Sequence, residues 1–310
     1  MAKKSSTKMV PEESADSTEA VFISILQQNF NELLKWEPVA QAGEDIEGVH
    51  QLRVILRRMR SAVIVFRKAI PRQATDTIGG EMRWAANELG AARDLDVFID
   101  EGLKAMAGRI PLAAGETKMR ELAWQHRQAA YQQVRAMIGS DRLHQFKESL
   151  PRWLEERPWR QMMPDDKASL QLRQNIKIYA TRVLNSHLSH VLQTGEQLEK
   201  KSVEELHMLR IECKKLRYAT EFFSSFYGRD GMGAFVSALR NLQATLGIMN
   251  DVSVMHHLLD HLLQGCTDQE LVIYAGAIIG WRSRQYEEVR GRLPAQWEQF
   301  SRMALPWSKG

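Results

Sequence analysis

An eleven-residue stretch occurs twice in this 310-residue chain, and the second copy begins 157 residues after the first. HQLRVILRRMR, residues 50–60, returns as HMLRIECKKLR, residues 207–217, without a gap. The same register persists beyond this stretch, since the Leu-Gly pair at 89–90 matches the pair at 246–247. Self-similarity at one fixed spacing is typical of a repeated architecture. We therefore predict a tandem duplication whose halves are joined around residues 156–166.

Further positions agree at the same spacing and carry the register far beyond the basic stretch. We interpret the two matched aspartates as helix N-caps, because each precedes a fresh apolar run and follows a repeated glycine. The matched tryptophans recur in helical register, which favours core packing over base stacking. The matched pairs are Phe66 and Phe223, Arg72 and Arg229, Arg83 and Arg240, Asp94 and Asp251, Val97 and Val254, and Trp124 and Trp281.

Both halves are predicted to be helical, because apolar residues recur at spacings of three and four among good helix formers. Six prolines, at positions 38, 71, 111, 151, 158 and 164, are expected to lie between helices. The predicted fold is all-α, with two tandem-duplicated helical bundles related by pseudo-two-fold symmetry. The predicted helices span 18–36, 46–70, 73–91, 94–107 and 114–138, then 168–194, 203–227, 231–247, 251–264 and 268–292.

Composition places this fold in a soluble, reducing setting. Residues 1–17 are predicted to be a disordered polar tail without the apolar core of a signal peptide. The two cysteines, Cys213 and Cys266, exclude a disulfide framework and favour the cytoplasm. No apolar run approaches the length of a membrane span, so no membrane partner is expected. The predicted domain covers 18–305, with halves of about 18–150 and 166–305.

The repeated stretch carries a concentration of positive charge that core packing does not require. Residues 50–60 contain four arginines and no acid, and residues 207–217 contain four basic residues and only Glu212. On a helix, the histidine and three of the cations in each copy fall within an arc of roughly 80° beside an apolar face. A single such helix is typical of a solvated basic face. Two copies related by a two-fold axis can face each other across a groove and sum their potentials.

The residue types in these two stretches favour a ligand made only of phosphate. Arginine matches phosphate oxygens with two parallel hydrogen bonds, and lysine adds a compact point charge. Histidine can gain a proton beside phosphate and then donate a further hydrogen bond. A protein that reads nucleic acid usually adds exposed aromatic rings or base-reading amides, and neither is interleaved with these cations.

These residues also carry a family resemblance. The pattern H-x-L-R-x-x-x-[RK]-[RK]-x-R, present twice and followed each time by L-G-x-x-[RN]-D, resembles the CHAD domain, the conserved histidine α-helical domain. The resemblance extends over nearly the whole chain, so it implies the stand-alone form. It implies binding of inorganic polyphosphate in a basic channel or groove between two helical halves, and association with polyphosphate granules. By motif position it assigns polyphosphate contacts to His50, Arg53, Arg57, Arg58, Arg60, His207, Arg210, Lys214, Lys215 and Arg217.

Two other classes of function stay open, a polyphosphate- or triphosphate-processing enzyme and a nucleic-acid-binding scaffold. Asp94, Asp96 and Asp251 could hold Mg²⁺ near phosphate, and HHLLDH, residues 256–261, has a spacing that can bind a metal. The HHLLDH cluster has no counterpart in the first half, which favours a solvated helix face. Neither a phosphate-binding glycine loop nor a G-x-S-x-G motif occurs. We therefore expect no enzyme, and no catalytic residue, metal ligand or cofactor.

Overall fold

The computed structural model of the protein describes residues 14–163 and 165–309, which form helices joined by short turns. Within these ranges there is no β-strand, and a single isolated bridge pairs Ser17 with Asn175. The predicted all-α fold is therefore confirmed. No helix in the described ranges is both long and apolar enough to cross a membrane.

The first half begins with two long helices, which are followed by a segmented third layer of three shorter helices. A π-helical turn, Phe98–Leu103, interrupts this third layer. The helices are α1 (Thr18–Ala42), α2 (Ile46–Val65), α3 (Arg72–Glu88), α4 (Gly90–Val97), α5 (Lys104–Met106), α6 (Ala113–Ile138) and α7 (Asp141–Glu156).

After a short first helix, the second half repeats this order, except that its third layer is one continuous helix of 34 residues. Short 3₁₀ turns at Pro158–Arg160, Leu198–Lys200, Ser224–Phe226 and Pro306–Lys309 separate some of its elements. The helices are α8 (Asp166–Arg173), α9 (Ile176–Thr194), α10 (Val203–Phe223), α11 (Arg229–Leu262), α12 (Gln269–Arg290) and α13 (Leu293–Ser301).

Equivalent helices begin at the sequence spacing of the repeat. Helix α10 begins 157 residues after α2, and the starts of α9 and α12 lie within one residue of the same spacing from α1 and α6. The predicted segments 231–247 and 251–264 merge into α11, whereas their counterparts are separated at Leu89. Equivalent helix starts are what a duplicated chain would produce, and the duplication itself stays a prediction.

The apolar faces of α2 and α10 are buried as the spacing predicted. Leu52, Leu56 and Met59 are at most 3% exposed on α2, and Leu209 and Cys213 are fully buried on α10. This burial holds one face of each helix against its own half of the molecule. The adjoining face of each helix, which carries the cations, is thereby left at the edge of the core.

Matched aromatic residues join the two halves into one core. Phe66, which follows α2, contacts Phe223 at the end of α10 with ring centroids 5.7 Å apart. Tyr179 of α9 stacks on Phe66 at 5.4 Å, and its hydroxyl donates a hydrogen bond to the carbonyl oxygen of Val65 at 3.0 Å. Aromatic pairs of this kind contribute about 0.5–1.5 kcal/mol beyond their burial. The C-terminal ends of the two basic helices are therefore held in a defined relation.

Two local predictions are wrong. Asp94 lies inside α4, which begins after Leu89, and Asp251 lies inside α11, so neither aspartate caps a helix. Pro38 and Pro151 lie within α1 and α7, because buried neighbours on both sides hold these helices through the proline.

The predicted tail falls largely outside the described residues, which begin at residue 14, and Pro164 also lies outside them. The end of the tail, in contrast, belongs to the fold. The Ser17 hydroxyl accepts a hydrogen bond from the amide of Ala20 at 3.2 Å and so caps α1. Ser17 is 7% exposed.

Candidate functional site

The basic stretches of α2 and α10 lie against each other. The two helices pack directly, and the Nε of Arg57 donates a hydrogen bond to the hydroxyl of Tyr218 at 2.6 Å. The positive charge of Arg57 is also among the causes that lower the pKa values of Arg210 and Lys214. Arg57 and Lys214 occupy equivalent positions in the two copies. The centres of the two basic stretches are therefore close enough to interact electrostatically.

A cleft of about 790 Å³ opens beside this helix pair. His50, Arg57 and Arg58 line it from α2, Arg217 lines it from α10, and Arg240 lines it from α11. The guanidinium of Arg58 also lies 5.5 Å from the ring centroid of Phe222, which holds its long side chain along the wall. The cleft has room for a ligand several atoms wide, and its charged lining favours an anion.

The repeated L-G-x-x-[RN]-D motif faces the repeated basic motif, and Arg53 makes the contacts in the first half. Its Nη1 donates a hydrogen bond to the carbonyl oxygen of Ala86 at 3.1 Å. A Cβ at Gly90 would lie 3.3 Å from the same Nη1, so the glycine makes room for the guanidinium. Burial lowers the pKa of Arg53, and the negative charge of Asp94 raises it. Gly90 and Asp94 thus position and partly neutralise this arginine.

The second half repeats this arrangement around Arg210. A Cβ at Gly247 would lie 4.0 Å from the Nε of Arg210, and that Nε is buried without a hydrogen-bond partner among the described residues. Burial lowers the pKa of Arg210, and the charge of Asp251 raises it. Burial raises the pKa of Asp94, and the charge of Asp251 raises it further, so the two carboxylates are close enough to interact. Their repetition is explained by electrostatic interaction with the arginines rather than by helix capping.

The two histidines of the repeat interact with the variable position of the second motif, through a hydrogen bond in the second half and electrostatically in the first. Nδ1 of His207 donates a hydrogen bond to Oδ1 of Asn250 at 2.7 Å. In the first half the equivalent residue is Arg93, and burial followed by the charge of Arg93 lowers the pKa of His50. His50 is half-buried and lines the cleft, whereas His207 is exposed. The two histidines are therefore equivalent in position, but the residue at the variable position is a cationic arginine in the first half and a neutral asparagine in the second.

Positive charge at the centre of the site exceeds what its carboxylates neutralise. The pKa of Lys214 is lowered to about 8, first by burial and then by the charges of Arg210, Arg57 and Arg217. The carboxylate of Asp251 raises it but does not compensate. Holding several cations in a half-buried cluster is unfavourable, and a polyanion placed among them would remove this repulsion.

The remaining cations lie at the edges of the site. Arg217 donates to Gln243 at 2.8 Å and to Glu221 at 2.9 Å. Burial lowers the pKa of Arg60, and the charge of Arg83 lowers it further. These arginines would extend a binding surface away from the centre at Arg57 and Lys214.

Lys215 belongs to different surroundings. Its Nζ donates to Oε1 of Glu212 at 2.6 Å, and both residues act electrostatically on His187 of α9. Glu212, the single acid in the second basic stretch, thus forms an ion pair on the α9 side.

Several residues of the site were not among the sequence candidates. Arg93 acts on His50, Tyr218 receives the hydrogen bond from Arg57, and Arg240 lines the cleft. Arg240 and Arg83 could have been found, because they match at the repeat spacing. Tyr218 gave no such signal, since the equivalent residue in the first half is Ser61.

One of the possible Mg²⁺ ligands is already fully engaged. Asp96 is 1% exposed, and its carboxylate accepts hydrogen bonds from Arg127 at 2.7 Å and from Tyr131 at 2.8 Å. Burial raises the pKa of Asp96, and these hydrogen bonds lower it. The idea of a Mg²⁺ site that includes Asp96 is therefore wrong, because its oxygens serve the fold.

The matched tryptophans are surface residues rather than core residues. Trp124 is 45% exposed and Trp281 is 39% exposed, so the predicted core packing is wrong. A cation covers each ring instead, with the guanidiniums of Arg127 and Arg109 at 5.0 and 5.7 Å from the ring centroids. Among the described residues that line the 790 Å³ cleft, neither tryptophan occurs.

The HHLLDH stretch lies on α11 beside a second cleft of about 480 Å³. His257 and His261 line this cleft together with His126 and Asp94. The rings of His126 and His261 meet edge to face with their centroids 5.8 Å apart. The stretch therefore packs partly against α6 instead of forming a wholly solvated face.

Comparisons with known proteins agree with this architecture. The PptA protein from Streptomyces chartreusis has a similar fold, with a TM-score of 0.66 at 16% identity over 91% of this chain and 99% of that chain. The crystal structure of the CHAD domain from the plant Ricinus communis is more similar, with a TM-score of 0.79 at 26% identity over 94% of this chain and 95% of that chain. No curated protein matches the chain. The family model of the CHAD domain matches residues 24–260, and the chain therefore belongs to the CHAD domain family.

Proposed function

We propose that the protein binds inorganic polyphosphate along the basic stretches where α2 meets α10 and in the cleft beside them. The observation that carries this proposal is the surplus of positive charge around Lys214, whose pKa is lowered to about 8 by burial and by neighbouring arginines. A dense anion that enters such a cluster stabilises it, because attraction to the anion offsets the repulsion between the cations. The match to the CHAD domain supports the same conclusion.

A linear polyphosphate suits the distribution of the cations better than a single phosphate ion does. Arg57 and Lys214 lie at the centre, while Arg58 and Arg217 line the adjoining cleft. A chain carrying a negative charge on each phosphate could contact the centre and the cleft together, and each arginine could make two hydrogen bonds. Asp94 and Asp251 would keep Arg53 and Arg210 oriented without covering the centre.

We propose a binding protein rather than a hydrolase or a nucleic-acid scaffold. Asp96 is engaged by Arg127 and Tyr131, which weakens the case for a metal-dependent phosphate site. By the same proposal the protein acts in the cytoplasm, without a cofactor, in association with polyphosphate granules. Granule association would follow from affinity for long chains, because a granule presents many of them at once.

The direct test is a titration with polyphosphates of defined length, with phosphate release followed in parallel. We expect saturable binding that tightens from short to long chains and weakens steeply with salt, as for other polyanions that release counterions. We also expect long polyphosphate to displace single-stranded and double-stranded nucleic acid at equal phosphate concentration. Sustained phosphate release would instead identify an enzyme, and stronger binding of nucleic acid would identify a scaffold.

Polyphosphate affinity should also fall as the pH rises from 7 to 9. Lys214 carries its charge below its pKa of about 8 and loses it above. Its charge-assisted contact contributes about 1.5–3 kcal/mol, so its loss should weaken binding by on the order of tenfold or more. Burial lowers the pKa of His50 from its usual 6.5, so in the protein without polyphosphate this histidine is largely neutral over the same range. Fluorescence titration at fixed ionic strength would measure the effect.

The control for the pH dependence is Lys214→Arg, since arginine keeps its charge to well above pH 9. We expect this variant to bind polyphosphate with little change in affinity between pH 7 and 9. An equally strong pH dependence in this variant would show that another group is responsible.

A further inference from the structure

A cluster of two histidines and one glutamate lies between α9 and α10, away from the basic cleft. His187 and His190 lie one helical turn apart on α9, and Glu212 faces them from α10. Each residue offers a ligand atom, and these three atoms lie within 4.8 Å of one another. Rotation of the exposed His190 side chain could place all three ligand atoms about 2.0–2.2 Å from one zinc ion, the usual distance for nitrogen and oxygen ligands.

The same three positions in the first half hold ordinary core residues. At the repeat spacing, His187, His190 and Glu212 correspond to Phe30, Leu33 and Ile55. These three apolar residues are between 2% and 8% exposed. An apolar helix contact in one half is thus replaced in the other by three side chains that can each bind a metal. Replacing apolar core residues by polar ones would destabilise the fold unless the polar groups gained a compensating interaction.

Two atoms of the cluster are buried without a hydrogen bond in the described part of the chain. They are Nδ1 of His187 and Oε2 of Glu212. The other carboxylate oxygen, Oε1, accepts the hydrogen bond from Lys215 at 2.6 Å, so Oε2 remains available. Buried polar atoms left unpaired are costly, and a metal ion that bound both would satisfy them.

We propose that His187, His190 and Glu212 form a binding site for a divalent transition metal of the zinc class. Two imidazole nitrogens and one carboxylate oxygen suit Zn²⁺, Co²⁺ or Ni²⁺, whereas Mg²⁺ and Ca²⁺ require mostly oxygen ligands. Three protein ligands leave a further coordination position for water or another small ligand. The nearby charges of Lys68 and Lys215 oppose the cation, and the carboxylate of Glu212 offsets them. The ion would join α9 to α10, the helix that carries the second basic stretch.

The test uses the full chain without an affinity tag, treated with a chelator and kept free of polyphosphate. We expect one Zn²⁺ per chain in competition with a chromogenic chelator, and visible absorption bands of tetrahedral type when Co²⁺ is used instead. Zn²⁺ at about a hundred times its Kd should raise the Tm by about 4 °C, because the ion binds only the folded chain. Mg²⁺ at the same concentration should leave the Tm unchanged. Absence of a one-to-one Zn²⁺ complex would overturn the proposal.

Two variants separate this site from other histidines. His190→Leu introduces the first-half residue at an exposed position, so we expect a folded protein that has lost the Co²⁺ bands and the Zn²⁺-dependent Tm shift. His257→Ala/His261→Ala removes two histidines from α11 and should keep both signals. Unchanged metal binding in His190→Leu, or its loss in the α11 variant alone, would assign the metal elsewhere.

Discussion

Polyphosphate affinity is expected to fall by on the order of a hundred- to ten-thousand-fold when Arg57 and Lys214 are both replaced by alanine. Each charge-assisted contact contributes about 1.5–3 kcal/mol, and these two residues occupy equivalent positions at the centre of the site. Isothermal titration with a long polyphosphate at fixed salt would measure the change. Each single variant should lose less than the pair, because the two cations act on the same ligand.

The loss of affinity should not reflect loss of folding. Burial and the like charges of Arg210 and Arg57 lower the pKa of Lys214, so removing both cations relieves an unfavourable interaction, which offsets the loss of the Arg57–Tyr218 hydrogen bond. We therefore expect the double variant to unfold at a denaturant concentration close to that of the unaltered protein.

A matched control removes the same net charge from exposed positions that are not among the residues of the site. Lys35 and Arg284, whose side chains are 67% and 83% exposed, form surface ion pairs with Glu32 and Glu288. We expect Lys35→Ala/Arg284→Ala to change the affinity only slightly. An equal loss in both double variants would mean that overall charge, and not the candidate site, governs binding.

The basic face could be predicted from sequence because helix periodicity alone determines it. Residues such as Leu56 and Leu216 lie on the apolar side of a simple 3.6-residue pattern, and both are buried. The cations follow on the adjoining side in both copies. The repeat then suggested two facing stretches, and the Arg57–Tyr218 hydrogen bond joins residues that are 161 positions apart.

The role of the second motif could not be predicted in the same way. Asp94 and Asp251 follow a glycine, which locally resembles a helix start. Their role depends on tertiary packing, because Gly90 and Gly247 lie against Arg53 and Arg210 from other helices. In α11 the helix continues through this region without a break. The local sequence therefore identified Asp94 and Asp251 as important residues, but the role predicted for them, helix capping, was wrong.

The position of each charged side chain also depends on what lies on the neighbouring helix. Arg58 and Lys215 are equivalent in sequence, yet Arg58 lines the cleft and Lys215 pairs with Glu212. The difference follows from the exchange of Ile55 for Glu212, which draws the lysine toward α9. We propose contributions to polyphosphate binding from all ten predicted residues, with the smallest from Lys215 because its ion pair must first be weakened.

Replacing Asp96 with alanine should destabilise the fold by about 3–5 kcal/mol, since it leaves the buried guanidinium of Arg127 without its counter-ion. The Asp96 side chain is fully buried, and that of Arg127 is 10% exposed. The ring of Tyr131 lies 4.1 Å from the guanidinium and cannot replace the carboxylate. Urea unfolding would measure the loss. The control is Asp100→Ala. Because Asp100 forms an exposed ion pair with Lys104, its replacement should lower the free energy of unfolding by at most about 1 kcal/mol.

A second change should recover much of the stability lost in Asp96→Ala. Burial raises the pKa of Asp96, which means that the ionised pair itself pays a desolvation cost in the native fold. Replacing both partners, as in Asp96→Leu/Arg127→Leu, removes that cost together with the attraction, so the double variant should be more stable than Asp96→Ala. If it is no more stable, packing around Arg127 and Trp124 rather than the unpaired charge accounts for the loss. Recovery would show that Asp96 serves the fold by neutralising the buried charge of Arg127.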